Sequence, residues 1–334
     1  MRTHTLGGTR VPVTELGFGA AVIGNLFTPV RDDEAYAALD AAWDAGLRYF
    51  DTAPHYGIGV SERRVGEFLR TRTTTSYTLS TKVGRILEPY EGGGDDLRNG
   101  FATPATHRRV WDFSAAGVRR SIEDSLGRLG LDRIDVVYLH DPDDHAEQAF
   151  GEAYPELERL RGEGLIDAIG AGMNQTGMLH RFVRDTDVDV VLCAGRYTLL
   201  DQRALHRLLP AAAERGVSVV VGGVFNSGLL ADPKQGATFD YSLASPAVLR
   251  SALKWKALAE RHGINLRAAA LAFPYGHPAV TSVLVGTRST AEVADTVRQF
   301  AAEVPAAFWQ EAREKNLLAA DVPTPEAFEE EKPR

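Results

Sequence analysis

SAAGVRRSIEDSLGRLGLDRIDVVYLH, residues 114–140, contains the two patterns on which the fold turns. Its first half has a helical period. Val118, Ile122, Leu126 and Leu129 form one apolar stripe, Ser114 stands as N-cap, and Gly130 ends the run in the left-handed position. Its second half, RIDVVYLH, is short and almost continuously apolar, as strands buried on both faces are. Helix followed by doubly buried strand is the unit of a parallel α/β protein.

The same alternation runs the length of the chain. ELGFGA, LRYFDT, YTLSTKV, IDAIGAG, VDVVLCAG, VSVVVGG and VTSVLVG repeat the strand pattern, so there are eight strand candidates with helical stretches between them. Residues 32–45 open with acids at the positive helix end and close at Gly46. Eight such units predict a (β/α)8 TIM barrel with long βα loops and an extra C-terminal helix. An open dinucleotide-binding sheet is disfavoured, because GFGAAVIG is not a G-x-G-x-x-G leading into a helix. No linker divides the chain, so residues 1–334 are expected to form a single domain, with a mobile tail over about 319–334. The longest irregular stretch, 85–113, follows the third strand and reads as a long functional loop.

Composition narrows the function classes. The 334 residues are 44% hydrophobic and 25% charged, with a net charge of −8, which argues against a nucleic-acid footprint. Arg63–Arg64 and Arg108–Arg109 read as solvated faces. Cys193 is the only cysteine, excluding a disulfide framework and a Cys-based zinc cluster, and no metal is expected. The start, MRTHTLGGTRVPV, lacks a signal-peptide apolar stretch and no run approaches membrane-spanning length, so a cytoplasmic location without a membrane partner is expected. Oligomeric state is left open.

In barrels of this kind chemistry gathers at the C-terminal strand ends. There the sequence places Asp51, Lys82, His140 and Asn174, with Tyr56 in the loop of YFDTAPHYGIG, residues 49–59. Each has a plain alternative: Asp51 can cap a turn, Tyr56 can pack, and His140 can be a satisfied core histidine. Lys82 is different, because lysine at the inward end of an apolar strand must be paired or solvated. Together they suit proton transfer coupled to hydride movement. A free tyrosine has a pKa of about 10; a neighbouring ammonium held by Asp51 is expected to lower it, and His140 to orient the reacting oxygen. A barrel lysine also suggests a Schiff-base aldolase using Lys82.

FDTAPHYGIGVSE, STKVG, YLHDPD, AGMN and VGTRSTAEV resemble the aldo-keto reductases over almost the full chain. The resemblance implies Tyr56 as general acid/base, Lys82 and Asp51 as its tuning pair, and His140 as the substrate-positioning group. It implies a nicotinamide cofactor with the carboxamide on Asn174, and Gly19, Met173 and Tyr197 as further contacts. The segment Gly222, Gly223, Phe225, Asn226, Ser227 and Leu229 would lie over the pyrophosphate, and Gly286, Thr287, Arg288, Glu292 and Asp295 around the adenosine half. Departures stand out. CAGRY, with Arg196, replaces a usual amide, and Gly222 stands where an aromatic ring usually stacks, with Phe225 as a substitute. Asp141 follows His140 and would accept from a substrate hydroxyl. Phe27, Phe101, Trp111 and Tyr275 are the candidate substrate walls. NAD is expected, with NADP the alternative, because Gly286 and Glu292 occupy positions that are basic in NADP-selective members, while Arg288 acts the other way. GFGAAVIGNLF, LHDPD, AGRYTLLD and GGVFNSGLL resemble the sugar 1-dehydrogenase subgroup, whose substrates are L-fucose and D-threo-aldoses, with pyridoxal 4-dehydrogenase a close relation. The implied substrate is a small sugar or aldehyde; a general NADPH-dependent aldehyde or ketone reductase is the broader alternative.

Overall fold

The computed structural model describes residues 1–325. Eight parallel strands close on themselves. In chain order they are β1 (Leu16–Gly19), β2 (Tyr49–Asp51), β3 (Thr78–Val83), β4 (Val136–His140), β5 (Ala168–Met173), β6 (Val190–Ala194), β7 (Ser218–Gly222) and β8 (Val280–Val285). Closure is made by β8 on β1, with Val283 opposite Leu16. Helices follow the strands, and Ala306–Glu314 adds the extra C-terminal helix. The eight predicted runs each supply one strand, trimmed at the ends where side chains leave the ladder.

Local chemistry explains the punctuation. The Ser114 side chain accepts from the Gly117 N–H at 3.0 Å, and Gly130 sits at φ 61° with its N–H on Leu126. Because strand side chains alternate in direction, each doubly buried strand feeds two cores. Tyr49, Val136, Tyr138, Val190, Val220 and Leu284 fill the barrel interior; Phe50, Leu79, Val137, Leu139, Ile169 and Val219 face the helices. An antiparallel hairpin of Thr3–Thr5 with Pro12–Thr14 brings Leu6, Val11 and Val13 into the interior cluster and plugs the end where the strands begin.

The stretch 85–113 is not irregular. Arg85–Pro89 pairs antiparallel with His107–Trp111, and Asp95–Asp96 pairs with Phe101–Pro104, forming a two-part ribbon. Its tip meets the loop after β1, where Phe27 N–H donates to Gly100 O at 2.7 Å. Two arginines expected as solvated turn inward instead, Arg64 buried and Arg109 nearly so. Arg64 binds Asp32 and the carbonyls of Ile23 and Val30, and Arg109 pairs with Asp96. Within the expected mobile tail, Val322 and Thr324 are buried, and Arg313 donates to both; residues 326–334 of that tail lie outside those described. Among the described residues no helix is long and apolar enough to cross a membrane.

Candidate active site

Period-two alternation decides which strand-end groups meet. Tyr49 and Asp51 share the inner face of β2, Ser80 and Lys82 that of β3, and Val136, Tyr138 and His140 that of β4. In register, Tyr138 lies opposite Lys82 and His140 opposite Gly172. Tyr56 comes from the loop after β2. Gly57 holds that loop at φ 61°, and a Cβ there would stand 2.1 Å from the Gly24 carbonyl oxygen, so only glycine lets Tyr56 sit this close to the loop after β1.

Lys82 Nζ donates to Asp51 Oδ1 at 2.9 Å and Oδ2 at 2.7 Å, and to Thr52 O at 2.9 Å. Ser80 adds a 2.7 Å bond to Oδ1. The ammonium lies 4.7 Å from the Tyr56 ring centre, and the His140 ring stands edge-on to that ring at 5.9 Å. The expected lowering of the Tyr56 pKa is not found. Burial pushes the phenol well up, the Asp51 carboxylate adds to the effect, and Lys82 is already committed to Asp51. Tyr56 is therefore a neutral phenol in the free protein. His140 is held neutral too, well below the ordinary imidazole range, chiefly by burial and then by Arg85 and Lys82. Its Nδ1 is buried without a partner among the described residues. A Schiff-base role asks for a free amine, and Lys82 has all three protons engaged.

These groups open onto one cavity of about 550 Å³. Tyr56, Lys82, His140, Asp141, Asn174, Phe27 and Phe101 all line it. Trp111 does not. It is 43% exposed, stacked on Phe113 at 5.9 Å and under Arg85 at 4.3 Å. Tyr275 is also misplaced: its hydroxyl donates to Glu15 O, just ahead of β1, at the opposite barrel end. Among the lining residues that escaped the sequence reading are His55, Arg85, Leu26 and Tyr241. Arg85 forms an ion pair with Asp141. His55 was legible in principle, being next to Tyr56; Tyr241 was not, because it arrives from the small hairpin Thr238–Phe239/Ser242–Leu243 after β7. Burial raises the Asp141 pKa, with Arg85 opposing.

Of the residues assigned to a nicotinamide cofactor, Met173 and Asn174 line this cavity, and Gly19 and Gly222 end strands β1 and β7. Asn174 donates to Ala194 O at 2.9 Å and lines the cavity together with Met173. Asn226, Ser227 and Gly228 are consecutive left-handed residues, and Leu229 is buried beneath them. Gly19 and Gly286 face one another, a Cβ on Gly19 lying 3.6 Å from Gly286 N. Two orphaned atoms fit a dinucleotide here: Asn226 Oδ1 and Thr287 Oγ1 are buried with no partner among the described residues. At Gly222 a Cβ would make ordinary contact with Leu192 at 3.5 Å, so the position is open, yet Phe225 packs on the barrel–helix core and does not line the cavity. Tyr197 is buried against Phe273 at 5.0 Å, away from the cavity. Asp295 is held by Arg267 and Arg298. Arg288 and Glu292 pair with each other at 3.3 Å. Arg196, noted for replacing an amide, instead binds Asp240 of the hairpin at 2.6 Å.

Comparison with known proteins agrees with this geometry. A sequence profile of the Aldo/keto reductase family matches residues 15–317. The chain is 45% identical to a D-threo-aldose 1-dehydrogenase of Pseudomonas sp over 95% of its length and 97% of that protein's. It is 37% identical to the pyridoxal 4-dehydrogenase of Microbacterium luteolum, over 95% and 98%. Among solved structures, an aldo-keto reductase from Bacillus halodurans in its holo form superposes with a TM-score of 0.75 at 27% identity, covering 96% of this chain and 98% of that one.

Proposed function

The chain belongs to the aldo/keto reductase family and is an NAD(P)-dependent oxidoreductase, and from that premise we propose that it oxidises C1 of an aldopyranose of the L-fucose or D-threo-aldose type to a lactone, with NAD as cofactor. The observation that carries the reading is the polar wall beside the reacting centre: Asp141, Arg85 and His55 line the same cavity as Tyr56 and His140. A polyhydroxylated ring needs such donors and acceptors, because a buried hydroxyl without a partner costs about 1–3 kcal/mol. The 45% identity to a D-threo-aldose 1-dehydrogenase supports the same substrate class.

Asn174, Asn226 and Thr287 would hold a nicotinamide cofactor, which would supply the hydride acceptor. The chain's own groups handle the proton and the geometry. Tyr56, as phenolate, takes the proton of the anomeric hydroxyl. Neutral His140 donates a hydrogen bond to that oxygen and fixes its distance from Tyr56. Lys82, anchored by Asp51, places a positive charge near the ring of Tyr56 that favours the phenolate once the hydroxyl meets substrate. Asp141 and Arg85 bind the remaining hydroxyls. The lone buried Cys193 fits a cytoplasmic, reducing setting.

One observation favours a second substrate. Phe27 and Phe101 give the cavity aromatic faces suited to a flat ring, and the pyridoxal 4-dehydrogenase likeness points the same way. A panel of aldoses together with pyridoxal, each with NAD⁺ and NADP⁺ and followed by reduced-nicotinamide absorbance, decides between them. Turnover of pyridoxal or simple aldehydes with no aldose active would reject the sugar reading.

A further inference from the structure

Arg109 lies in the ribbon strand His107–Trp111, yet its side chain is only 10% exposed. Its guanidinium donates to Asp96 Oδ1 at 2.7 Å and Oδ2 at 2.6 Å, to His55 O at 2.8 Å, and through Nε to His55 Nδ1. Guanidinium has donors only and does not give up its proton, so His55 Nδ1 must accept. The neutral ring then carries its single proton on Nε2. Burial, with Arg85, Arg109 and Lys82 around it, pushes the imidazole down to about 2, so a second proton is excluded. The ring lines the cavity, 5.6 Å from His140 and 6.2 Å from Tyr56, and among the described residues nothing accepts from Nε2.

We propose that Arg109 fixes His55 as an Nε2–H donor to a substrate hydroxyl next to the reacting centre, so that the ribbon after β3 sets which hydroxylated substrates the site accepts. His55 is then a binding residue and Arg109 a positioning residue. The proposal rests on the sugar reading above and adds to it the group that reads a second hydroxyl. The plainer role, a staple holding the ribbon to the Tyr56 loop, accounts for the bond to His55 O but leaves the ring's cavity-facing donor without a function.

Two measurements test it. In protein carrying ¹⁵N-labelled histidine, the ring signals lost in His55→Gln identify His55, and at neutral pH they should show the Nε2–H tautomer; an Nδ1–H or doubly protonated ring overturns the proposal. In kinetics, His55→Phe should raise the KM for L-fucose about ten-fold, the usual worth of one hydrogen bond, and change kcat less. Its loss of kcat/KM on benzaldehyde, which offers no second hydroxyl, should be much smaller. His55→Gln, which keeps an N–H at similar reach, should restore most of the KM. Equal losses on both substrates, or no recovery with Gln, sink the donor role. Parent protein that reduces benzaldehyde but oxidises no aldose refutes the sugar reading and the donor role with it, while the tautomer result still judges the part played by Arg109.

Discussion

Lys82 and Asp51 form a closed ion pair inside the barrel, neither side chain more than 4% exposed, with both carboxylate oxygens on one ammonium. Ser80 and the Thr52 carbonyl complete their hydrogen bonds. A buried pair satisfied in this way is stable as a unit and costly to split, because either partner alone is an uncompensated charge. Lys82→Met is expected to lower stability by about 3–5 kcal/mol in urea unfolding. Adding Asp51→Asn should return much of that stability while activity stays lost. A double variant no more stable than the single one would contradict the pair's energetic role.

Tyr56→Phe keeps the ring and removes the proton-transfer group. Folding should be unchanged and turnover should fall by about 10²–10⁴-fold. The pH dependence follows from the raised phenol pKa. Oxidation needs the phenolate, so below that pKa the active fraction, and with it kcat/KM, should climb about ten-fold per pH unit. Reduction needs the phenol and should stay flat through neutrality. An oxidation rate that levels off below pH ~8 would show that Tyr56 ionises far more easily than its surroundings in the free protein allow.

The barrel was legible because doubly buried strands alternate with amphipathic helices, and the inward turn of the strand-end groups because strand side chains follow a period of two. An apolar run that ends in Asp51, Lys82 or His140 must turn that last group inward or outward with its neighbours, and the apolar neighbours fix the choice. The ribbon was not legible. RILEP and HRRVW read as charged loop because Arg85 and Arg109 are drawn inward only by tertiary pairing with Asp141, from after β4, and with Asp96, from the other part of the ribbon. Aromatic content misled in the same way: Trp111 and Tyr275 have the composition of a sugar-binding wall, but which barrel end or ribbon face they occupy depends on tertiary packing. The direction of the Tyr56 shift was missed because adjacency to an ammonium was weighed without counting how many bonds that ammonium already makes.

Asp96 is 4% exposed and accepts from two Arg109 nitrogens, so it ties the Asp95–Asp96/Phe101–Pro104 pair of the ribbon to the Arg85–Pro89/His107–Trp111 pair. Asp96→Asn keeps one acceptor but removes the charge, and is expected to cost about 1–3 kcal/mol. The loss should be local. Amide hydrogen exchange should speed up across residues 85–111 and little elsewhere, with KM for the substrate rising alongside. Exchange unchanged in the ribbon would mean that its strand pairing, and not the Arg109–Asp96 pair, holds it closed.

Cofactor choice is expected to turn on Glu292. Its carboxylate sits in the first turn of helix Thr290–Phe300, accepts the Arg288 N–H at 2.9 Å, and faces the Arg288 guanidinium at 3.3 Å. Arg288 also reaches Thr28 at 3.1 Å, across the gap to the loop after β1. A cofactor 2′-phosphate approaching this corner would meet a helix N-terminus and an arginine, both attractive, already neutralised by one carboxylate. Removing the negative charge should therefore expose a latent phosphate site. Glu292→Gln, which keeps the acceptor for the Arg288 N–H, should raise the kcat/KM for NADP⁺ relative to NAD⁺ by about ten-fold, or about 1.4 kcal/mol of like-charge repulsion relieved. Glu292→Arg should go further, and Arg288→Ala in the Gln background should cancel the gain. If the ratio does not move in Glu292→Gln, or if the parent already prefers NADP⁺ strongly, the carboxylate is only a helix cap and the 2′ position is read elsewhere.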